Sequence, residues 1–418
     1  MASSLPKYDT KTLDNGLEIV VVPMKNGSGV ISTDIFYKVG SRNEVMGKSG
    51  IAHMLEHMNF KSTKNLQAGE FDEEVKSIGG VNNASTGFDY THYFIKSSSS
   101  NLDKSLSLFA ELMENLNLRD DEFQPERDVV AEERRWRTEN NPMGYLYFRL
   151  FNTAFVHHPY HWTPIGFMDD IQNWSIDDIK NFHQTYYQPS NAIVIVTGDI
   201  DSNDVFKSVE KHFSHIKNSS KIPEQFITEP AQDGPRFVEL YKESEVEMLA
   251  ISFPIPSFTH PDQPKLSAMS ELLSSGKSSI LQKKLVDEKH LVNQIYAYNM
   301  ESIDPNIYLF LAVCNSGVSA KDVESELWSI IDELKTTPIS TSELDKLKIN
   351  TKADFIYSLE SASGVANLFG SYLARGDISP LLGYEDAINT LTPSDISDMA
   401  QKYLQKSKST TIILKKGE

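Results

Sequence analysis

The sequence predicts an α+β protein in which one domain is duplicated within the chain. Three observations carry this. Strand-like and helix-like segments alternate along the chain, and the second half repeats the order of the first. Between them, residues 214–235 lose periodicity and fill with Lys, Ser, Pro, Gln and Gly. A length of 418 residues exceeds what a single core supports. Two domains are therefore expected, an N-terminal one over 1–222 and a C-terminal one over 223–418.

The first half opens with the turn residues Asp14-Asn15-Gly16 and a strand-like run, Leu17–Val22. Val30–Val39 is a second strand, with Ile31, Thr33, Ile35 and Tyr37 alternating against their neighbours. A helix carrying His53 to His57 follows. After a polar loop, Phe71–Ile78 reads as a short helix and Val81–Phe94 as two strand segments around Gly87-Phe88-Asp89. Leu102–Leu116 and Asp128–Glu139 are helical by period. Asn191–Val196 is a β-branched strand ending at Gly198, with a helix from about Asn203 to Phe213. In the second half, Phe237–Lys242 and Met248–Phe253 read as strands, and Lys265–Leu273 is a helix where the first half has its His-bearing one. Asn293–Tyr298 and Ile307–Val313 are further strands, and helices fill Lys321–Leu334, Thr341–Leu359 and Ser394–Tyr403. No histidine lies in Leu266–Leu273, so the copy is chemically silent at that place.

Hydrophobic content of 39% and charged content of 23% fit an ordinary globular protein. A formal charge of −18 argues against nucleic acid as a partner, because phosphate binding needs clustered Lys and Arg. No run of about 18 apolar residues offers a membrane span. Met1–Thr10 lacks the basic-then-apolar pattern of a signal peptide. Cys314 is the single cysteine, which excludes intrachain disulfides and a thiolate zinc cage. A cytoplasmic location is expected, with export without a leader left open.

The chemistry concentrates in His53-Met54-Leu55-Glu56-His57. On a helix, positions 53, 56, 57 and 60 share one face, while Ile51, Met54, Leu55 and Met58 form the opposite, core-facing stripe. One side is thus anchored and the other presents two imidazoles one turn apart with a carboxylate beside them, as a catalytic zinc site requires. The order H-x-x-E-H inverts the commoner H-E-x-x-H zinc motif. Ser49 is placed to cap the helix, and Gly50 lets the chain turn in close. Two His leave zinc one protein ligand short, and a carboxylate is the usual completion. In Glu126-Arg127-Asp128-Val129-Val130-Ala131-Glu132-Glu133, the residues Glu126, Val129, Val130 and Glu133 form one helical stripe. Carboxylates sharing a stripe with two valines point toward packed protein, where an acid needs a partner such as a metal. Glu132 falls on the solvated flank.

The chain resembles the pitrilysin-type zinc peptidases of family M16. These are inverzincins that include insulin-degrading enzyme and the mitochondrial processing peptidase. The matches are Gly40-Ser41-Arg42-Asn43-Glu44, Gly50–Met58, Asn83-Ala84-Ser85-Thr86, and Glu126-Arg127-Asp128-Val129-Val130 leading to Glu133. The resemblance implies the short, two-domain subfamily. There each chain is half of a peptidase clamshell, with mixed or antiparallel sheets and helices packed on one face, and two chains enclose the substrate. It implies one zinc per chain held by His53, His57 and Glu133, with Glu126 steadying a zinc histidine and Glu56 as general base in a metalloendopeptidase reaction. Asn83 and Ala84 match the edge strand to which an extended, unstructured peptide adds by main-chain hydrogen bonds. Read without the resemblance, Asn82-Asn83 are equally turn residues.

The chain departs from the family in its second half. Active members supply an Arg and a Tyr in a motif resembling R-E-K-x-G-L-x-Y, and the corresponding stretch here is Val286–Asn293, which has neither. The resemblance then implies a partner, either a second copy or a different M16 subunit that carries the Arg and Tyr. The rival reading is a non-catalytic assembly or chaperone-like subunit that keeps the peptidase fold. His157-His158-Pro159-Tyr160-His161 reads as a loop beside the motif helix rather than a second metal site, because Pro159 breaks the spacing. Ser274–Ser279 lacks the leading Gly and preceding strand of a phosphate loop.

Overall fold

In the computed structural model, which describes residues 4–417, the chain builds two β-sheets with helices packed on them. Residues 1–3, the start of the stretch read for a leader, lie outside the described residues. The first sheet comprises β1 (Asp9–Thr12), β2 (Glu18–Pro23), β3 (Val30–Tyr37), β4 (Val81–Thr86), β5 (Thr91–Ser98) and β6 (Ala192–Gly198), in the spatial order β1-β2-β6-β3-β5-β4. The second comprises β7 (Arg236–Lys242), β8 (Met248–Ile255), β9 (Val292–Asn299), β10 (Asn306–Cys314) and β11 (Thr410–Lys416), in the order β7-β11-β8-β10-β9.

The two orders are the same path drawn twice. Strands β2, β6, β3, β5 and β4 correspond in turn to β7, β11, β8, β10 and β9. Their directions correspond too: β2–β6 and β7–β11 are parallel, and the remaining neighbours are antiparallel. Only β1 has no counterpart. The fold is α+β with mixed sheets.

Burial follows from sequence. In β6 all seven residues are buried, as expected of a β-branched run covered on both faces. At the edge, β4 alternates exposed and half-buried residues. On β3, Ile31, Ile35 and Tyr37 enter the main core with the motif helix. The opposite face carries Ser32, Asp34 and Phe36, and there Asp34 accepts hydrogen bonds from Ser32 Oγ and His92 Nε2, each 2.6 Å long.

Two compact units form along a discontinuous path. The first takes the residues up to Glu133, then 162–226 and 355–381; the second takes 134–161, 227–354 and the residues from 382 onward. The helix Ala362–Ala374 packs on β3 and β6, and the helix Pro142–Ala154 packs on the corresponding strands β8 and β11. Each half of the sequence therefore lends one helix to the other half's sheet. A division at 222/223 stays a proposal about the sequence repeat.

Several elements escaped sequence reading. The helix expected from Asp128 begins at Asp120 and runs through Pro125, with Asp120, Asp121 and Glu122 in its first turn, where negative charge suits the helix dipole. Its continuation, Arg135–Glu139, is a π-helical turn. The helix Ala362–Ala374 mixes apolar and small residues without a clear polar face, because it is sandwiched against the sheet. Gly370 lets it approach: a Cβ there would come within 2.2 Å of the Phe36 ring. Gly370→Ala should lower stability by about 1–3 kcal/mol through overpacking, read as a shift in the denaturant midpoint.

Candidate metal centre

The motif helix spans Ile51–Asn59. Ile51, Met54, Leu55 and Met58 are all buried, which fixes the rotation that turns His53, Glu56 and His57 to one side. Its N-terminus is built differently from expectation. Ser49 gives no cap; its N–H and hydroxyl both donate to Asp170, at 3.0 and 2.5 Å. The cap comes from Glu44, whose carboxylate accepts the N–H groups of Gly50 and Ala52, both at 2.8 Å, and the Trp162 indole N–H at 2.7 Å. A carboxylate satisfies two orphan donors at once and suits the positive end of the helix dipole better than a hydroxyl does. Burial pushes the Glu44 carboxyl up to about 8, against the pull of these three donors. Gly50 is left-handed, with φ of 86°, and a Cβ would press to 2.7 Å on the Ile165 carbonyl oxygen.

The second half of the site comes from the helix Asp120–Arg134. Val129 is 50% exposed, so the expected stripe of Glu126, Val129, Val130 and Glu133 does not face the core as a whole. The helix buries Phe123, Val130 and Ala131 instead. Glu126 and Glu133 lie on the flank of that face, and their nearly buried side chains meet the motif helix.

Three donors converge. Glu133 Oε2 lies 3.3 Å from His57 Nε2 and 3.7 Å from His53 Nε2, and one ligand atom from each residue falls within 4.8 Å of the others. Two ligands about 2.0–2.1 Å from a tetrahedral ion stand roughly 3.3 Å apart, so the set fits a zinc-sized cation. The imidazole rings are 4.7 Å apart and nearly perpendicular. His57 Nδ1 donates to Glu126 Oε1 at 2.8 Å, which leaves Nε2 as the lone-pair nitrogen facing the other donors. Glu126 Oε2 in turn accepts from Lys61 at 2.5 Å.

Around this centre, Thr86 Oγ1 donates to Glu56 Oε2 at 2.5 Å. Asn83 and Ala84 sit within the edge strand β4, so Asn82-Asn83 are strand rather than turn residues. Asn83 is exposed, and its side-chain oxygen accepts the Ala84 N–H at 2.9 Å. Val286 and Asn293 belong to the second unit, the first partly buried and the second exposed in β9 near Tyr296 and Tyr298, which are exposed as well. The histidines of 157–161 belong to the second unit, and their partners diverge. His158 bonds Asp304 at 2.9 Å and His161 bonds the Phe155 carbonyl at 2.5 Å. Glu44, Lys61, Thr86 and Trp162 carried no separate assignment from sequence. Lys61 lies two residues beyond the end of the motif helix, where helical periodicity gives no signal for it.

A family model described as insulinase (peptidase family M16) matches residues 20–161, and one described as the peptidase M16 inactive domain matches residues 173–351. The chain is 56% identical to a zinc protease PqqE of Helicobacter pylori over 99% of its own length and 94% of that protein's. The chain belongs to peptidase family M16. It is also 25% identical to a probable mitochondrial-processing peptidase subunit beta of Arabidopsis thaliana, over 96% of this chain and 77% of that one. A crystal structure of a protease from Helicobacter pylori matches with a TM-score of 0.97 and 56% identity, over 98% of this chain and 100% of that chain. Among the described residues, no helix of this M16 chain is long and apolar enough to cross a membrane.

Before a metal binds, burial pulls His57 down, but the hydrogen bonds and charges of Glu126 and Glu133 outweigh it and hold the imidazole up to about 9. A ligand nitrogen must be deprotonated, so proton and metal compete for His57. Zinc uptake at pH 7.5 should release at least one proton, and affinity should fall about tenfold per unit as the pH drops below about 9, levelling above it. Metal titration in a weakly buffered indicator dye reads both.

Proposed function

We propose that this M16 chain is a zinc-dependent metalloendopeptidase that cuts unstructured peptides. The observation that carries the reading is the convergence of His53 Nε2, His57 Nε2 and Glu133 Oε2 at the spacing of zinc ligands. One zinc per chain held there would supply Lewis acidity to the scissile carbonyl and to an attacking water. Every other part of the reaction falls to the chain's own groups. Glu56, three residues after His53 and one before His57, takes the proton of the water and delivers it to the leaving amine. Glu126 holds the His57 ring in the tautomer that presents Nε2, and Lys61 holds Glu126 in turn.

An extended peptide adds to the open side of β4. Asn83 and Ala84 offer main-chain groups there, and the Asn83 side chain now on the Ala84 N–H gives way to the peptide carbonyl. Backbone pairing is indifferent to most side chains, which favours unfolded substrates. The family's substrate-gripping Arg and Tyr have no counterpart at Val286 and Asn293. We therefore propose a paired assembly, as a homodimer or with an M16 subunit that brings those residues. A chaperone-like subunit would have no use for three converging donors, and the enzyme reading is favoured on that ground.

Glu56→Gln should keep its zinc and lose turnover of an unfolded protein such as casein by about a hundredfold or more. Metal content and cleavage rate, with and without chelator, check it. A Glu56→Gln protein that cleaves at the parental rate would sink the assignment.

A further inference from the structure

Glu56 poses a problem that the three-donor centre does not solve by itself. It lies on the same helical face as His53 and His57, its side chain is long, and a carboxylate is a good zinc ligand. A glutamate that swung onto the metal would fill the open position that catalysis needs. Yet the convergent set is His53, His57 and Glu133, and Glu56 is not part of it. Its Oε2 instead accepts the hydroxyl proton of Thr86.

Thr86 is well placed to be a fixed point. It is the last residue of β4 and pairs directly with Thr91 of β5. The turn between them closes through Gly87 N–H to the Tyr90 carbonyl at 2.9 Å. Outside the hairpin, the N–H groups of Ser41 and Arg42 clamp the carbonyls of Gly87 and Phe88 at 3.1 and 2.8 Å. Thr91 is buried, and its hydroxyl donates to the Val39 carbonyl at 2.9 Å. The backbone under Thr86 is therefore held from both strands, and a β-branched side chain adds stiffness at χ1.

We propose that the Thr86 hydroxyl is a positioning group that holds the Glu56 carboxylate in the base position and keeps it out of the metal's ligand set. The inference rests on the reading of His53, His57 and Glu133 as ligands and Glu56 as base. The anchor of the base stands on β4, the strand proposed to receive the peptide, while the metal ligands stand on two helices. Substrate adding to β4 thus steadies the group that holds the base, and this couples strand occupancy to catalysis. Removing the hydroxyl deletes the donor that fixes Glu56 Oε2, and a bound zinc would then compete for that carboxylate.

Thr86→Val keeps shape and β-branching but deletes the donor, and Thr86→Ser keeps the donor. With zinc loaded and casein as substrate, Thr86→Val should bind equimolar zinc, lose about a hundredfold in kcat and shift KM by less than threefold. Thr86→Ser should recover most of the lost rate. With cobalt(II) in place of zinc, Thr86→Val should change the visible absorption of the metal, and the change should vanish when Glu56→Ala is added. A cobalt spectrum and kcat identical in Thr86→Val and the parent would overturn the inference alone. A parent chain that takes up no cobalt would overturn the metal reading and the inference together.

Discussion

The candidate metal centre depends on the rotation of one short helix. Nine residues make a helix that is marginal in water on its own, and each residue turns the face by about 100°. A slip of one residue would bury Glu56 and expose a core side chain. Separate restraints prevent it. The apolar face is buried, and Glu44 pins the first N–H groups. At the far end, Asn59 Nδ2 donates to the Leu55 carbonyl and the Tyr93 hydroxyl, both at 2.9 Å. Gly50 admits Ile165 and Trp174 within the distance a side chain would need. These restraints come from residues 44, 93 and 162–174, so the site forms only once the first unit has folded around it.

The duplication separates what the fold needs from what the chemistry needs. In the second unit the helix Gln263–Ser274 follows β8 as the motif helix follows β3. Ser270 donates to the Tyr308 hydroxyl at 3.0 Å, and Tyr308 is the third residue of β10 as Tyr93 is the third of β5. The polar buttress between helix and sheet is thus present in both copies. Among the described residues, the converging candidate donors lie in the first unit alone. A helix packed on a sheet requires an apolar stripe and satisfied buried hydroxyls, and it requires histidines only where a cation is to be held.

Much of this was legible in the sequence because local periodicity dictates it. The alternation in Val30–Val39, the stripe of Ile51, Met54, Leu55 and Met58, and the β-branched run before Gly198 each read directly as the element that forms. The His53–His57 pair was legible because its spacing is set by one helix. What was not legible depends on partners distant in sequence. Glu44 looks like an ordinary polar loop residue until Trp162 and the helix N-terminus close around it. Val129 seemed inward because the stripe was drawn through Glu126 and Glu133. The true inward line runs through Phe123, Val130 and Ala131, and no periodicity tells which of two adjacent stripes meets the neighbour. The exchange of helices 142–154 and 362–374 between the two halves of the sequence leaves no mark in composition.

Charge is the last argument for a cation in this place. Glu56, Glu126 and Glu133 stand on one side of the motif helix, and Lys61 pairs with Glu126. Those three carboxylates and that ammonium sum formally to minus two with both imidazoles neutral, and the side chains of Glu126 and Glu133 are only 13% and 16% exposed, which weakens screening. A proton on His57, held up by Glu126 and Glu133, covers half of it. A divalent ion held there would cover all of it and would displace that proton. The same surplus favours a doubly charged metal under the proposed reading of this site. It also explains why Lys61 stands on Glu126, outside the three converging donors, where it quenches one charge without taking the place of the ion.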